Sequence, residues 1–271
     1  MSIKAEQAQF EFGFACDIGR KRKGKPNQDA VAVVLPDSNE SWHPPLLLVA
    51  DGLGRYAGGE LASQTVVNTF TDEFKHSQHP TEYPVLLERC VQAAHQRVRE
   101  LGMKDENLSL MGSTIAAVVL EADRLFVLNV GDSRVYLLGE ETIRQVSRDH
   151  SWTAAQVQAG VLTEAEARVH PDRNRLTMSI TAKRTKVEFH LAEEKMDSRK
   201  IILLCSDGLW GVVPETLIRA AAVELPPQTA ADKLVTMANA SKGPDNISVV
   251  IARRAGFDGK NKETNLEDTG P

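Results

Sequence analysis

The chain has 271 residues, of which 42% are hydrophobic and 25% are charged, and its net charge is −5. The apolar share is enough for a packed core, so the composition excludes a disordered chain. The acidic balance argues against a general nucleic-acid binder, which needs a broad basic surface. No apolar run approaches the roughly 20 residues that span a membrane, and three scattered cysteines indicate neither a disulfide framework nor a zinc site. We therefore expect a cytoplasmic monomer with no membrane or nucleic-acid partner.

Seven short apolar runs, most of them bounded by Gly, Asp, Asn or Pro, predict strands. In chain order they are 30–35, 46–50, 114–120, 125–130, 134–138, 201–205 and 247–252. An apolar period near 3.6 predicts helices over 59–76, 85–103, 215–223 and 229–240. Because the first two helices are consecutive and some strands pair as tight hairpins, the pattern favours antiparallel sheets with helices packed outside.

Residues 148–185 differ from the rest of the chain. Charged residues are dense there, and Gly160 and Pro171 interrupt any regular pattern. We interpret this stretch as a helical insertion, or flap, over a single domain formed by residues 1–255. Residues 256–271 have almost no apolar content after Phe257, which predicts a disordered tail.

Five aspartates stand beside predicted strands, and in an antiparallel arrangement all five would lie on one edge of the sheet. Like charges brought that close repel by roughly 4 kcal/mol per pair at an effective dielectric constant near 20. A hard divalent cation, Mg²⁺ or Mn²⁺, would relieve the repulsion, since every ligand is an oxygen. The alternative is that each Asp merely marks a turn at a strand end. The five aspartates are Asp29, Asp51, Asp132, Asp207 and Asp245.

Six short motifs follow one another along the chain. They are NQDA from Asn27, VADGLG from Val49 with GGELAS from Gly58, MGST from Met111, VGDSRVY from Val130, LCSDGLW from Leu204 and DNIS from Asp245. As a set they resemble the metal-dependent serine/threonine protein phosphatases of type 2C, in their bacterial form, over about residues 10–253. The resemblance implies an α+β fold, a four-layer αββα sandwich of two antiparallel β-sheets flanked by helix pairs, with the flap beside a dinuclear centre.

The resemblance also implies roles for individual residues. Asp29 and Asp51 would hold two core Mn²⁺ or Mg²⁺ ions with Asp51 bridging them, and the Gly52 carbonyl would complete one ion. The other ion would be held by Asp207 and Asp245, and a weaker third ion by Asp132 together with Asp207. The implied activity is hydrolysis of phosphoserine and phosphothreonine in proteins by in-line attack of a metal-bridging hydroxide, opposed by a Ser/Thr kinase.

The basic loop 19–27 departs from the family pattern. Where the family has an arginine, three residues before Asn27, this chain has Gly24, and the loop is about two residues longer. We take Arg22 as the candidate phosphate-binding residue, because a guanidinium binds phosphate through two parallel hydrogen bonds. Its rivals are three of the other four cations of the loop, Arg20, Lys23 and Lys25.

The motif that follows Asp51 also differs from the family pattern. Tyr56 stands where the family has a histidine that is a candidate general acid. A tyrosine with an ordinary pKa near ~10 is a weak acid, so either Tyr56 or metal-bound water would protonate the leaving alcohol. His150, in the stretch that opens the flap, is a candidate for positioning flap or substrate.

Three other interpretations compete with this one. The spacing of Cys16 and Arg22 matches the phosphate loop of cysteine-dependent phosphatases, although Pro26 interrupts the helix that should follow; otherwise Cys16 is a small residue near a strand end. The glycine-rich run 52–59 lies between a strand and a helix, as in nucleotide-binding loops, but no Lys-Ser/Thr pair follows. A catalytically impaired pseudophosphatase that binds phosphoproteins would have lost metal acids, whereas all five are present.

Overall fold

A computed structural model describes residues 10–36, 43–54, 58–77 and 82–257. Within these ranges two antiparallel β-sheets stack face to face, and each carries helices on its outer face. The expected four-layer αββα sandwich is confirmed.

All strand pairs in the described ranges are antiparallel. The first sheet has the order β1 (Phe10–Asp17), β12 (Ile247–Arg254), β11 (Ile201–Cys205), β7 (Arg134–Leu138) and β8 (Ile143–Gln145). The second sheet runs β10 (His190–Lys195), β6 (Arg124–Val130), β5 (Ile115–Glu121), β3 (Leu46–Leu53), β4 (Gly112–Ser113) and β9 (Ile180–Thr181), with β2 (Asp29–Val34) paired to β3.

The helices divide between the two outer layers and the flap. Helices α1 (Gly58–His76) and α2 (Tyr83–Lys104) cover the second sheet, whereas α6 (Glu215–Glu224) and α7 (Pro227–Ala240) cover the first. The flap contains α3 (Trp152–Gln158) and α4 (Glu164–Val169), and α5 (Asp207–Trp210) is a single turn after β11. Two 3₁₀ turns span Arg20–Arg22 and Glu106–Leu108. No helix within the described ranges has the length and apolar content needed to cross a bilayer.

Side chains that alternate between the two faces of each strand build the layers. On β3, Leu46 and Leu48 face the helices α1 and α2, whereas Leu47 and Val49 face the other sheet. All four side chains are fully buried, and each contributes about 1.5–3 kcal/mol to folding. A strand buried on both faces reads as a continuous apolar run, which is why the apolar runs located the central strands.

The edges of the sheets were harder to predict. The sequence analysis did not assign β1, β8 or β10, and the half-exposed β10 reads HLAEEK, with little apolar character. Within the flap, Ser151 forms an isolated β-bridge with Leu176, and α4 begins with a capping box between Thr163 and Glu166. Of the expected tail 256–271, only Gly256 and Phe257 lie within the described residues.

Candidate active site

Four strands and one helical turn bring the five aspartates to one end of the sandwich, and we call them the acid cluster: Asp29, Asp51, Asp132, Asp207 and Asp245. Asp29 on β2 pairs directly with Asp51 on β3. Strand β3 continues to Leu53, so Asp51 lies within the strand and not after its end, as the sequence had suggested. Asp207 is the first residue of α5, Asp132 follows β6, and Asp245 precedes β12.

The MGST motif fixes Asp51 through the backbone. The Asp51 amide donates to Thr114 Oγ1 at 3.0 Å, and the Thr114 amide donates to the Asp51 carbonyl at 2.8 Å. Ser113 Oγ donates to the same carbonyl at 3.1 Å. The motif therefore holds the Asp51 backbone in place, a role that the sequence analysis did not assign to it.

Buried polar residues hold Asp29 in the same way. Ser206 Oγ donates to Asp29 Oδ2 at 2.7 Å and accepts a hydrogen bond from the Ser248 amide at 3.0 Å. The Gln28 amide donates to Asn246 Oδ1 at 3.0 Å. These contacts join three motifs distant in sequence, and the only sequence signal for Ser206, Asn246 and Ser248 was their position beside an aspartate of a motif.

Burial and mutual repulsion disfavour the charged form of the acid cluster. Burial, followed by the neighbouring carboxylates, raises the pKa of Asp29 to about 7. Burial and then Asp245 raise the pKa of Asp207 to about 6. For Asp51 and Asp132, burial and the surrounding aspartates raise the pKa well above its ordinary value. The cluster thus calls for a compensating positive charge at neutral pH.

Two oxygens of the cluster lack the hydrogen bonds that buried carboxylates normally make. Asp29 Oδ1 and Asp207 Oδ1 are both buried and have no hydrogen-bond partner. Across the described ranges no group of three His, Cys, Asp or Glu side chains is arranged to hold an ion by itself. The oxygen-only donor set fits a hard cation such as Mg²⁺ or Mn²⁺, which is bound through one or two carboxylates and retains several waters.

Arg22 is the cation of the basic loop that reaches the acid cluster. Its Nη1 lies 2.9 Å from Asp245 Oδ1, and its Nη2 donates to Gln28 Oε1. Arg22 Nε is buried and has no hydrogen-bond partner. The rivals Arg20, Lys23 and Lys25 are exposed to solvent. Tyr56, the other residue proposed for catalysis, lies outside the described residues.

A cleft of about 870 Å³ separates the flap from the body of the domain. Asp207 and Asp245 line it from the body, and His150 and Arg173 line it from the flap. His150 Nδ1 accepts a hydrogen bond from the Gly131 amide at 3.1 Å, and burial lowers the pKa of His150. The neutral imidazole therefore carries its proton on Nε2.

The surroundings of Cys16 argue against a cysteine-dependent phosphatase. Cys16 lies on β1 near its end, and Asn27 and Ser248 each donate to its Sγ at 3.1 Å. Burial raises the pKa of the thiol, which opposes formation of a nucleophilic thiolate. The chain continues into a 3₁₀ turn and β2, so no helix N-terminus follows Cys16 to bind phosphate.

The glycine-rich run 52–59 connects β3 to α1, as in nucleotide-binding loops. At two of its positions, however, close packing explains why the residue is a glycine. A Cβ atom on Gly52 would lie 2.1 Å from the Gly59 carbonyl oxygen, and one on Gly59 would lie 2.4 Å from Gln28 Nε2. At Gly52 the neighbouring backbone leaves no room for a side chain, and at Gly59 the Gln28 side chain fills that space. These two glycines therefore need no nucleotide to explain them.

Comparisons with known proteins agree with this geometry. The sequence profile described as protein phosphatase 2C matches residues 19–234. The serine/threonine phosphatase stp of Listeria welshimeri is 31% identical over 245 residues, which cover 89% of this chain and 94% of that protein. The crystal structure of the Mycobacterium tuberculosis serine/threonine phosphatase PstP/Ppp matches with a TM-score of 0.81 at 28% identity, over 90% of this chain and 98% of that one.

A further crystal structure, of the catalytic domain of PstP in complex with two manganese ions, matches with a TM-score of 0.79 at 27% identity, over 92% of this chain and 99% of that one. Because the family profile covers well over half of the sequence and the fold agrees along the same length, the chain belongs to the protein phosphatase 2C family.

Proposed function

We propose that this protein is a metal-dependent phosphatase that hydrolyses phosphoserine and phosphothreonine in other proteins. The observation that carries the proposal is the acid cluster, in which Asp29 and Asp207 each have a buried oxygen without a partner. A cluster of five acids, two of which line a cleft, suits cation-assisted attack on a phosphate, and Arg22 lies beside it.

Four members of the acid cluster form two pairs, each of which would hold one Mn²⁺ or Mg²⁺ ion. Asp29 and Asp51, adjacent across β2 and β3, would share the first ion with the Gly52 carbonyl, and Asp51 would bridge to the second. Asp207 and Asp245 would hold the second ion, and Asp132 with Asp207 a weaker third one. Divalent cations bound there would offset the charge of the phosphate and activate water as a nucleophile.

Arg22 is the residue we assign to the substrate phosphate. Its guanidinium lies beside Asp245, and its Nε has no partner in the protein. A phosphate monoester arriving at the cluster would meet a preformed, fork-shaped donor, and the Asp245 contact would keep that donor oriented. Arg22 would therefore contribute mainly to substrate binding.

The phosphopeptide would lie in the cleft beneath the flap, with its phosphate at the Asp207 and Asp245 end. Its leaving serine or threonine oxygen needs a proton, and Tyr56 or ordered water would supply it. The substrates require a kinase that phosphorylates serine and threonine. We also propose a cytoplasmic location, because all three cysteines are free thiols.

The test is release of phosphate from phosphoserine, phosphothreonine and phosphotyrosine peptides during a Mn²⁺ titration. We expect metal-dependent release from the first two, and a loss of at least a hundredfold in Asp51→Asn and in Asp207→Asn. Asp123→Asn, at an exposed hairpin turn, is the matched control and should retain full activity. Near-normal turnover of either cluster variant at saturating Mn²⁺ would exclude the dinuclear centre. A wild-type protein that binds phosphopeptides without hydrolysing them would instead be a pseudophosphatase.

A further inference from the structure

Arg134 opens β7 two residues after Asp132, and its side chain is only 12% exposed. A buried guanidinium needs a partner for each of its donors. Arg134 Nη2 donates to Asp149 Oδ2 at 2.7 Å, Nε donates to the same carboxylate, and Nη1 donates to the Tyr136 hydroxyl at 2.9 Å. The guanidinium is therefore held in one plane by contacts on two sides.

The face of this guanidinium stacks on Trp210, with the Arg134 Cζ atom 3.7 Å from the ring centroid. The same indole donates from Nε1 to the backbone carbonyl of Asp132 at 2.9 Å. Arg134 thus fixes the orientation of the ring that holds the loop carrying Asp132. A lysine would keep the charge but lose both the flat stacking surface and the fork of donors.

The partners of Arg134 also reach the flap. Asp149 also accepts a hydrogen bond from Gln145 Nε2 at 2.7 Å. It directly precedes His150, and α3 begins three residues after it, at Trp152. Glu215, at the start of α6, accepts from the Tyr136 hydroxyl at 3.2 Å and pairs with Arg168 of α4 at 3.1 Å. The network around Arg134 therefore contacts the flap where it begins and again at its second helix.

We propose that Arg134 is a positioning residue of this phosphatase. It holds the Asp132 loop through Trp210 and the first flap residues through Asp149. The loop that would hold the weakest cation and the flap residues that line the cleft therefore keep a fixed position relative to each other. This inference rests on the proposed function, in which Asp132 binds the third cation.

The experiment compares Arg134→Lys, Trp210→Phe and the double variant in direct Mn²⁺ binding without substrate, followed by electron paramagnetic resonance. Trp210→Phe keeps an aromatic ring beneath Arg134 but removes the donor to Asp132. We expect the tight binding phase to be unchanged and the weaker phase to lose about fivefold in affinity, the equivalent of one hydrogen bond of about 1 kcal/mol. Arg144→Lys, at an exposed ion pair with Glu194, is the control and should bind Mn²⁺ like the wild type.

The double variant tests whether Arg134 acts through Trp210. If it does, the double variant should bind the weaker Mn²⁺ no worse than the more impaired single variant, because both changes break one route. Effects that simply add, or an unchanged weaker phase in a folded Trp210→Phe protein, would overturn the inference.

Hydrogen exchange separates this inference from the proposed function. Peptides covering 149–152 should exchange faster in Arg134→Lys than in the wild type or in Arg144→Lys. If the wild type binds no Mn²⁺ at all, the proposed function fails, and the exchange rates alone decide the positioning role. Unchanged exchange at 149–152 would refute it.

Discussion

Replacing Asp207 by asparagine should stabilise the metal-free protein while removing its activity. Asp207 is half-buried, faces the other acids and has one buried oxygen without a partner. An asparagine of nearly the same shape removes the charge and offers an amide donor to the neighbouring Asp51 carboxylate. A residue retained for cation binding is thus expected to cost stability when no cation is bound.

The size of the effect follows from the pKa of Asp207, which is about 6 in the folded chain against an ordinary value of 3.8. Between those two values the folded chain holds a proton that the unfolded chain has lost, so the contribution of Asp207 to wild-type stability becomes more unfavourable as pH rises from about 4 to 6. Above pH 6 the penalty is complete, about 3 kcal/mol. Asp207→Asn should therefore gain about 3 kcal/mol at pH 8, or roughly 5–10 °C in melting temperature, and less than about 1 kcal/mol at pH 4.

The assay is thermal unfolding in a chelator at pH 4 and pH 8, repeated with Mn²⁺. Added Mn²⁺ should raise the melting temperature of the wild type far more than that of Asp207→Asn, since ligand binding to the folded state alone stabilises it. Asp123→Asn, which alters an exposed acid, should follow the wild type throughout. No gain at pH 8, or an equal gain at both pH values, would refute the electrostatic argument.

Three further substitutions probe the site. Arg22→Ala should raise KM for a phosphopeptide about tenfold and leave tight Mn²⁺ binding unchanged, whereas the same kinetics in the exposed Arg20→Ala would move the phosphate contact to that residue. Asp132→Ala should keep two tightly bound ions yet lose most of kcat on phosphopeptides and less on 4-nitrophenyl phosphate, whose leaving group needs little protonation; equal losses would argue against a role in protonation. Gly52→Ala should lower the melting temperature of the metal-free protein by about 5–10 °C, the equivalent of about 3 kcal/mol, because its methyl group would overlap the Gly59 carbonyl; a normal melting curve would contradict the packing described for this junction.

The sequence predicted the acid cluster because each of its members stands beside an apolar run. A strand such as β5, buried on both faces, can be located from composition alone, and the hairpin it forms with β6 limits where Asp132 can lie. The sequence put Asp29 and Asp51 on the same edge of the sheet, whereas their direct pairing across β2 and β3 is visible only in the structure. Local patterns therefore sufficed to bring these aspartates together, and their role as metal ligands stays a prediction.

Contacts between distant segments left no comparable signal. Nothing in the VGDSRVY motif indicates that Arg134 pairs with Asp149 and stacks on Trp210, since both partners lie on other elements. Strand β10 escaped prediction because it is an edge strand whose exposed face carries charged side chains. The sequence favoured Arg22 because a guanidinium binds phosphate through two hydrogen bonds. The contact with Asp245, which distinguishes Arg22 from the other cations of the loop, is visible only in the folded protein.

The interior position of β12 bears on how the protein is made. This strand pairs with β1 on one side and with β11 on the other, although it comes some 240 residues after β1 along the chain. The ribosome must therefore release residue 254 before β12 can pair fully with β1 and β11. Asp245, which precedes β12, joins the other acids only at that stage. Chains interrupted before residue 245 would lack both this interior strand and the acidic partner of Arg22. The site is therefore complete only after residues 245–254 have been synthesised, and β1 lacks its partner strand and is exposed to misassociation or chaperone capture until then.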